Sequence, residues 1–309
     1  MNRCPITYEE IAGGTYSEHG LYLLSRRLID LSPFPYTAGQ QRREAARQAA
    51  KMSIQGVQPK LNVHLNISSQ VFDLVDYDGS YIVKPPGEVY PELPQNEDVT
   101  MRMAALAGIK TPLHGLFYAC DGSLTYFVKR FDRTGRDGKL ALEDFAQIQG
   151  KTRETKYCSS MEHVAATIRA YCTFPVLEFV KLFRLVLFNF LVGNEEMHLK
   201  KFSLLCRDGQ VGLSPAYGLR NTTIALGSAG AELALPLRGK RQGLKSEDFF
   251  GYFGRELLHL PQPVIDGVLR DFSAAKEHWC SLLNICFLSH RMKEAYTKLL
   301  HSRVSALGL

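Results

Sequence analysis

Between residues 193 and 203 the chain reads GNEEMHLKKFS, which sets an amide (Asn194), a carboxylate (Glu196), an imidazole (His198) and two ammonium groups (Lys200, Lys201) close together. The run is wedged between an apolar stretch, VLEFVKLFRLVLFNFLV (176–192), and a hairpin-like one that passes through RDGQ. Polar groups so placed usually act on something. The chemistry they suit is phosphoryl transfer, in which a carboxylate orients an attacking hydroxyl and cations neutralise phosphate charge.

Such groups need elements to position them. After an irregular N-terminal segment with Pro and Gly, QQRREAARQAAK (40–51) reads as an exposed basic helix, its charges a solvated face. KLNVHLN alternates apolar and polar residues, VFDLVDYDGSYIVKP reads as strand, Asp-Gly turn and strand, and SLTYFVKRF is a further β-rich run. Between them PQNEDVTMRMAALAG has helical apolar spacing and ends at a glycine. Residues 52–130 should therefore form a sheet with one helix packed on it. Beyond about 140 the pattern is helical: SSMEHVAATIRAYC, the 176–192 run, EDFFGYFGREL, PVIDGVLRDFSAAKEHW and SHRMKEAYTKLLHSRVSAL. The 176–192 run is apolar nearly all round, which marks a buried central helix. The expected fold class is α+β, with a small β-rich lobe at 1–130 and a larger helical lobe at 131–309 that carries the polar segment 193–219.

Composition narrows the function classes. With 309 residues, 45% hydrophobic and 22% charged, the chain is not disordered by composition and is long enough for one large domain or two lobes. No apolar run approaches the roughly 20 residues of a membrane span. The best, LFRLVLFNFLVG, is broken by Arg184, and MNRCPITYEE lacks the apolar centre of a secretory signal. A soluble, cytoplasmic protein with no membrane partner is expected. Seven cysteines without a C-x-x-C pair support neither a disulfide framework nor a zinc site. The net charge of +6 suits an anionic partner such as a nucleotide, but it lacks the aromatic interleaving of a nucleic-acid face.

Taken in order and spacing, MSIQGVQPKL (52–61), YIVKPP (81–86), NEDVTMRMA (96–104), VKRFDR (128–133), GNEEMHLKKFSLL (193–205) and LSPAYGL (213–219) resemble the HipA family of bacterial serine/threonine kinases. The resemblance covers nearly the whole chain. Its S-x-x-G-x-Q-x-K loop begins at Ser53, which leaves too little room for the N-terminal subdomain of HipA and makes the short HipT kinases of HipBST toxin–antitoxin modules the nearest likeness. The resemblance implies a two-lobed, protein-kinase-like fold with ATP in the interlobe cleft. Ser53 and Gly56 would cover the phosphates, Lys84 would pair with them and Glu97 would hold Lys84. The backbone around Lys129 and Phe131 would meet the adenine, and Asp132 the ribose. The implied partners resemble HipS and the DNA-binding HipB, with DNA reached only through the latter, and family targets include aminoacyl-tRNA synthetases.

The family pattern is close to G-N-x-D-x-H-x-K-N-x-S, followed by P-x-Y-D-L. Gly193, Asn194, His198, Lys200 and Ser203 match it, as do Pro215, Tyr217 and Leu219. The catalytic aspartate is replaced by Glu196, and the two metal ligands by Lys201 and Gly218. The longer Glu196 displaces its carboxylate by about 1.5 Å, where errors near 1 Å already cost roughly a hundredfold. Magnesium is not expected to be held, because Gly218 offers no ligand atom and Lys201 offers a cation. Three readings follow: a pseudokinase or severely impaired kinase that still binds ATP or partners, an active HipT-like toxin kinase with Glu196 as a poor base and His198 beside it, and an assembly module that binds no nucleotide. An aspartate at 218 is sterically acceptable unless that glycine has a positive φ.

Overall fold

The computed structural model describes residues 2–51, 59–135, 138–227 and 230–309. Ser53 and Gly56 lie outside these. The chain forms two compact units, one comprising residues up to Val99 with Pro112–Phe131 and Ile285–Leu288, the other Thr100–Thr111, Asp132–Asn284 and Ser289–Leu309. The division is thus not a single cut in the sequence.

The first unit is built on a five-stranded antiparallel sheet. Its strands are β1 (Leu61–Asn66), β2 (Val71–Val75), β3 (Tyr81–Lys84), β4 (His114–Tyr118) and β5 (Leu124–Lys129), in the order β2-β1-β3-β5-β4. Alternation along β5 explains one face, with Phe127 sending its ring into the same core as Phe72, Tyr81 and Phe117 at centroid separations of 5.8, 6.0 and 6.2 Å. The N-terminal segment, expected to be irregular, carries a short strand pair (Asn2–Arg3 with Glu10–Ile11) and a helix at Glu18–Leu24, and completes this core through Cys4, Ile6, Leu21, Leu24, Leu28, Leu31 and Phe34. Phe34 also hydrogen-bonds along the sheet edge, its N–H to the Tyr118 carbonyl at 2.9 Å. The basic helix spans Ala38–Lys51 and turns Gln41 and Ala45 inward.

In the second unit the apolar run forms α1 (Pro175–Leu191), with Pro175 at its start, where a missing N–H costs nothing. Leu182, Phe183, Val186, Phe188, Phe190 and Leu191 are buried, but Val176 and Leu177 in its first turn are exposed. Its aromatic side chains meet Trp279 and Phe253 at 5.9 and 6.0 Å. The Trp279 indole N–H donates to the Met103 carbonyl at 2.8 Å. The helix Leu93–Leu106 is therefore divided at Val99, its second half fastened inside the helical unit. Other helices run Met161–Tyr171, Gln262–Ile285 and His290–Leu307, the first and last capped by the side chains of Ser160 and Ser289. The segment Glu247–Leu257 is wound as a π-helix. A three-stranded antiparallel sheet, β6 (Leu142–Asp144), β7 (Ser203–Arg207) and β8 (Gln210–Leu213), takes up the chain where it leaves the loop at 194–202.

Candidate functional site

In the first unit Lys84 closes β3, and its ammonium forms a buried ion pair with the Glu97 carboxylate. The ammonium also lies 5.2 Å from the centre of the Tyr126 ring. Desolvated on both sides, such a pair is held only by good geometry, which fixes the lysine in place. Next to Glu97, Asp98 accepts from or is paired with His114 Nδ1 at 2.8 Å, a second buried polar contact at the start of β4. Lys129 ends β5 with an exposed side chain and gives its N–H to the Leu113 carbonyl at 2.8 Å. Phe131 is half-buried. Asp132, in the second unit, is buried and pairs with Arg133 at 2.7 Å.

The second unit holds the polar segment with a chain of amides. The Asn189 side chain donates to the Leu185 carbonyl at 2.7 Å, and its oxygen accepts from Asn194 Nδ2 at 2.6 Å. Asn194 Oδ1 in turn accepts the Glu196 N–H at 3.3 Å. Between them Gly193 has φ 65°, and a Cβ there would come within 2.5 Å of Leu299 Cδ2, so the turn out of α1 requires glycine. Glu195 faces away, its carboxylate taking the Thr223 hydroxyl at 2.6 Å and the Gly230 and Ala231 N–H groups. Glu196 remains as the carboxylate that faces His198, with Oε2 3.9 Å from His198 Nε2. Tyr157 donates its phenol to Glu196 Oε1 at 2.7 Å and sets its ring edge-on to the imidazole at 5.0 Å.

Cations surround this carboxylate. Burial, then the charges of Lys201, Lys156 and Arg220, push the His198 imidazole down to about 3, so the ring is neutral at ordinary pH. Its Nδ1 is buried with no hydrogen-bond partner among the described residues. Burial also holds Lys156 below the usual lysine range, reinforced by Arg153, Lys200 and Arg220 and opposed by Glu196. Burial and the Glu196 contact push the Tyr157 phenol up, which keeps it a donor. Lys200 is paired with Asp144 at 3.1 Å, and the Lys200 carbonyl accepts from the Tyr217 hydroxyl at 3.2 Å. Tyr217 also shares a 2.6 Å hydrogen bond with Ser203, so the matched residues Lys200, Ser203 and Tyr217 brace the loop onto β7.

Lys201 and Gly218 meet. Gly218 has φ 66°, the condition under which a side chain there is strained, and a Cβ would fall 2.5 Å from Lys201 Nζ. The ammonium lies 3.4 Å from the Gly218 carbonyl. It therefore fills the volume that a residue-218 carboxylate would enter. A magnesium ion requires oxygen ligands, and the two positions that supply them in the family's pattern carry here an ammonium and a glycine without a side chain. The residues present do not fit the metal that kinase chemistry implies.

Glu196, His198, Lys201 and Gly218 are thus brought together in one unit, and Lys84 with Glu97 in the other. Sequence reasoning missed Asn189, Tyr157, Lys156 and Arg220. Only Asn189 carried a signal: an amide inside an otherwise apolar helix must find partners.

The sequence pattern of the HipA-like C-terminal domain family matches residues 52–279. The chain belongs to that family. A Haemophilus influenzae protein named "Putative kinase" is 29% identical over 79% of this chain and 75% of its own length. The serine/threonine-protein kinase toxin HipA of Shewanella oneidensis is 27% identical over 55% of this chain, a match that spans 43% of the HipA toxin. In structure the chain is similar to HipA of the same organism, solved with HipB and operator DNA, with a TM-score of 0.71 at 20% identity over 91% of this chain and 74% of that one. This likeness shows the fold: the HipA-type α+β architecture with a β-rich and a helical part.

Proposed function

We propose that this HipA-like chain is the kinase-type component of a toxin–antitoxin module, nearest to HipT, that binds ATP but is a pseudokinase or a severely impaired kinase. ATP would be held by Lys84, positioned by Glu97, with the backbone at Lys129 and Phe131 against the base and Asp132 toward the ribose. HipB-like and HipS-like proteins would be its partners, and DNA would be met through the HipB-like one. The observation that carries the reading is the Lys201 ammonium in the space of the missing residue-218 carboxylate. Phosphoryl transfer is positioning plus charge neutralisation, so replacing both metal ligands removes most of its rate.

A second reading, an active toxin kinase acting on an aminoacyl-tRNA synthetase, draws on Glu196, whose carboxylate is fixed by Tyr157 beside His198. Labelled ATP with magnesium, incubated with the purified chain and with candidate synthetases, decides between them. Binding of ATP without transfer is the expected result. Rapid transfer by the unaltered chain would overturn the impaired-kinase reading, and absence of any nucleotide-induced thermal shift would leave an assembly module.

A further inference from the structure

The helix Leu93–Leu106 carries two acidic residues in succession, Glu97 and Asp98, and both are almost wholly buried. Consecutive residues on a helix point about 100° apart, so the two reach different neighbours. Glu97 takes the Lys84 ammonium at the end of β3, and Asp98 takes His114 Nδ1, 2.8 Å away at the start of β4. These strands are not adjacent. β5 lies between them, with Tyr126 opposite Lys84 on one side and opposite Leu116 on the other. The two carboxylates therefore straddle a strand and grip points about two strand spacings, roughly 10 Å, apart. Tyr126 is fully buried and fills the gap. Its ring centre lies 5.2 Å from Lys84 Nζ and 5.9 Å from the centre of the His114 ring. A single anchor leaves a helix free to swing about its point of contact, whereas two anchors on different strands remove that freedom. Each buried carboxylate carries a desolvation cost that a helix held by apolar packing alone would not.

We propose that Asp98 and His114 are positioning residues: their contact, with Tyr126 wedged beside it, fixes the helix over the sheet and keeps Glu97 on Lys84 whether or not a nucleotide is present. The inference rests on the reading of Lys84 as the phosphate-binding cation and deepens it, because it assigns the alignment of that lysine to a pair with no part of its own in holding phosphate. An ammonium already aligned loses little freedom when it meets a phosphate, and such preorganisation shows as affinity. The donor at position 114 matters more than the ring. Asparagine sets an amide N–H close to the place of Nδ1, whereas phenylalanine keeps a ring against Tyr126 and offers Asp98 nothing.

Two measurements on the full chain test this, the first without nucleotide. The rate at which Lys84 is acetylated by N-hydroxysuccinimidyl acetate, followed by peptide mass spectrometry against the exposed Lys139, reports how often the helix releases it. His114→Phe should raise that rate roughly tenfold or more, the size expected of a lost hydrogen bond to a buried charge, and His114→Asn should return it most of the way. Phe72→Leu, in the core of the same unit, controls for lost stability and should leave Lys84 slow. Circular dichroism confirms folding; should His114→Phe not fold, the isosteric Asp98→Asn takes its place, with a smaller acceleration expected. Unchanged acetylation in the folded variants, equal acceleration in Phe72→Leu, or no rescue in His114→Asn overturns the proposal. Calorimetric titration of ATP is the second measurement, and affinity should fall in the order in which acetylation rises. If acetylation follows that order while the unaltered chain binds no ATP, the positioning role stands and the nucleotide reading fails. If the unaltered chain binds ATP and His114→Phe binds it as tightly, the nucleotide reading stands and this inference fails.

Discussion

At the scale of residues, the bare backbone of Gly218 and the ammonium of Lys201 occupy one place. The prediction is that Gly218→Asp alone gives no magnesium binding, because the new carboxylate lands on the Lys201 ammonium and pairs with it. Lys201→Asn with Gly218→Asp should bind Mn2+ in place of magnesium, read by electron paramagnetic resonance, and the single variants should not. The positive φ at 218 is tolerated by aspartate better than by most residues, so the cost to stability should stay near 1 kcal/mol. A second prediction concerns pH. His198 lies below its ordinary value of 6.5 when folded, so the unfolded chain takes up the proton first. The stability this group allows is complete above that value and falls as pH drops below it, by about 2 kcal/mol between about pH 7 and pH 5. Urea unfolding at both pH values should show this fall, and His198→Asn should reduce it by that amount. The identities of Glu196, Lys201 and Gly218 were legible in the sequence, but their consequence was not. That the lysine points into the space beside the glycine depends on two residues seventeen positions apart and on a backbone angle no residue type alone dictates.

At the scale of elements, the polar segment is only as fixed as the helix before it. Asn189→Leu removes the partner of the buried Asn194 amide and should destabilise the chain by roughly 1–3 kcal/mol, more than its gain in apolar volume returns. Chemical denaturation checks the size. Strong periodicity made most helices readable, as in Met161–Tyr171 with its Ser160 cap. Strand β4 went unread because HGLFY follows a proline-containing turn and is buried on both faces, without the alternation that marks a half-exposed strand. The run Glu247–Leu257 reads as an ordinary amphipathic helix, yet its turns are wider; apolar spacing does not separate the two windings over so short a stretch. The N-terminal segment reads as irregular, yet it holds the Ser17-capped helix Glu18–Leu24 and pairs Asn2–Arg3 with Glu10–Ile11, and Phe34 and its neighbours complete the aromatic core of the first unit through contacts distant in sequence.

At the scale of the whole molecule, the HipA-type fold is kept around residues that depart from the family's pattern. The triple variant Glu196→Asp, Lys201→Asn, Gly218→Asp should gain magnesium-dependent transfer by several orders of magnitude, and the single reversions little, since residues that act as one unit are strongly non-additive. A kinase assay with labelled ATP measures it; a folded triple variant that binds ATP and metal but transfers nothing counts against a kinase origin for the loop. The chain spans three quarters of its Haemophilus relative and under half of the Shewanella toxin. The two-part α+β architecture was visible from the shift of period near residue 130, because a change from two to 3.6 survives even where single boundaries blur. No described helix is long and apolar enough to cross a membrane. What sequence could not convey is how the chain is divided between the two units, with Thr100–Thr111 counted in the second because Trp279 and Arg184 fasten the far end of the helix Leu93–Leu106 and the turn after it.

The contact between Lys201 and Gly218 also couples the two positions. A long ammonium side chain settles over residue 218 only while that residue has no side chain of its own. A change at either position is therefore read through the other: an aspartate placed at 218 is neutralised on the spot, and an asparagine placed at 201 faces a residue with no ligand atom to work with. The pair behaves as a lock with two keys, which opens only when both are turned together.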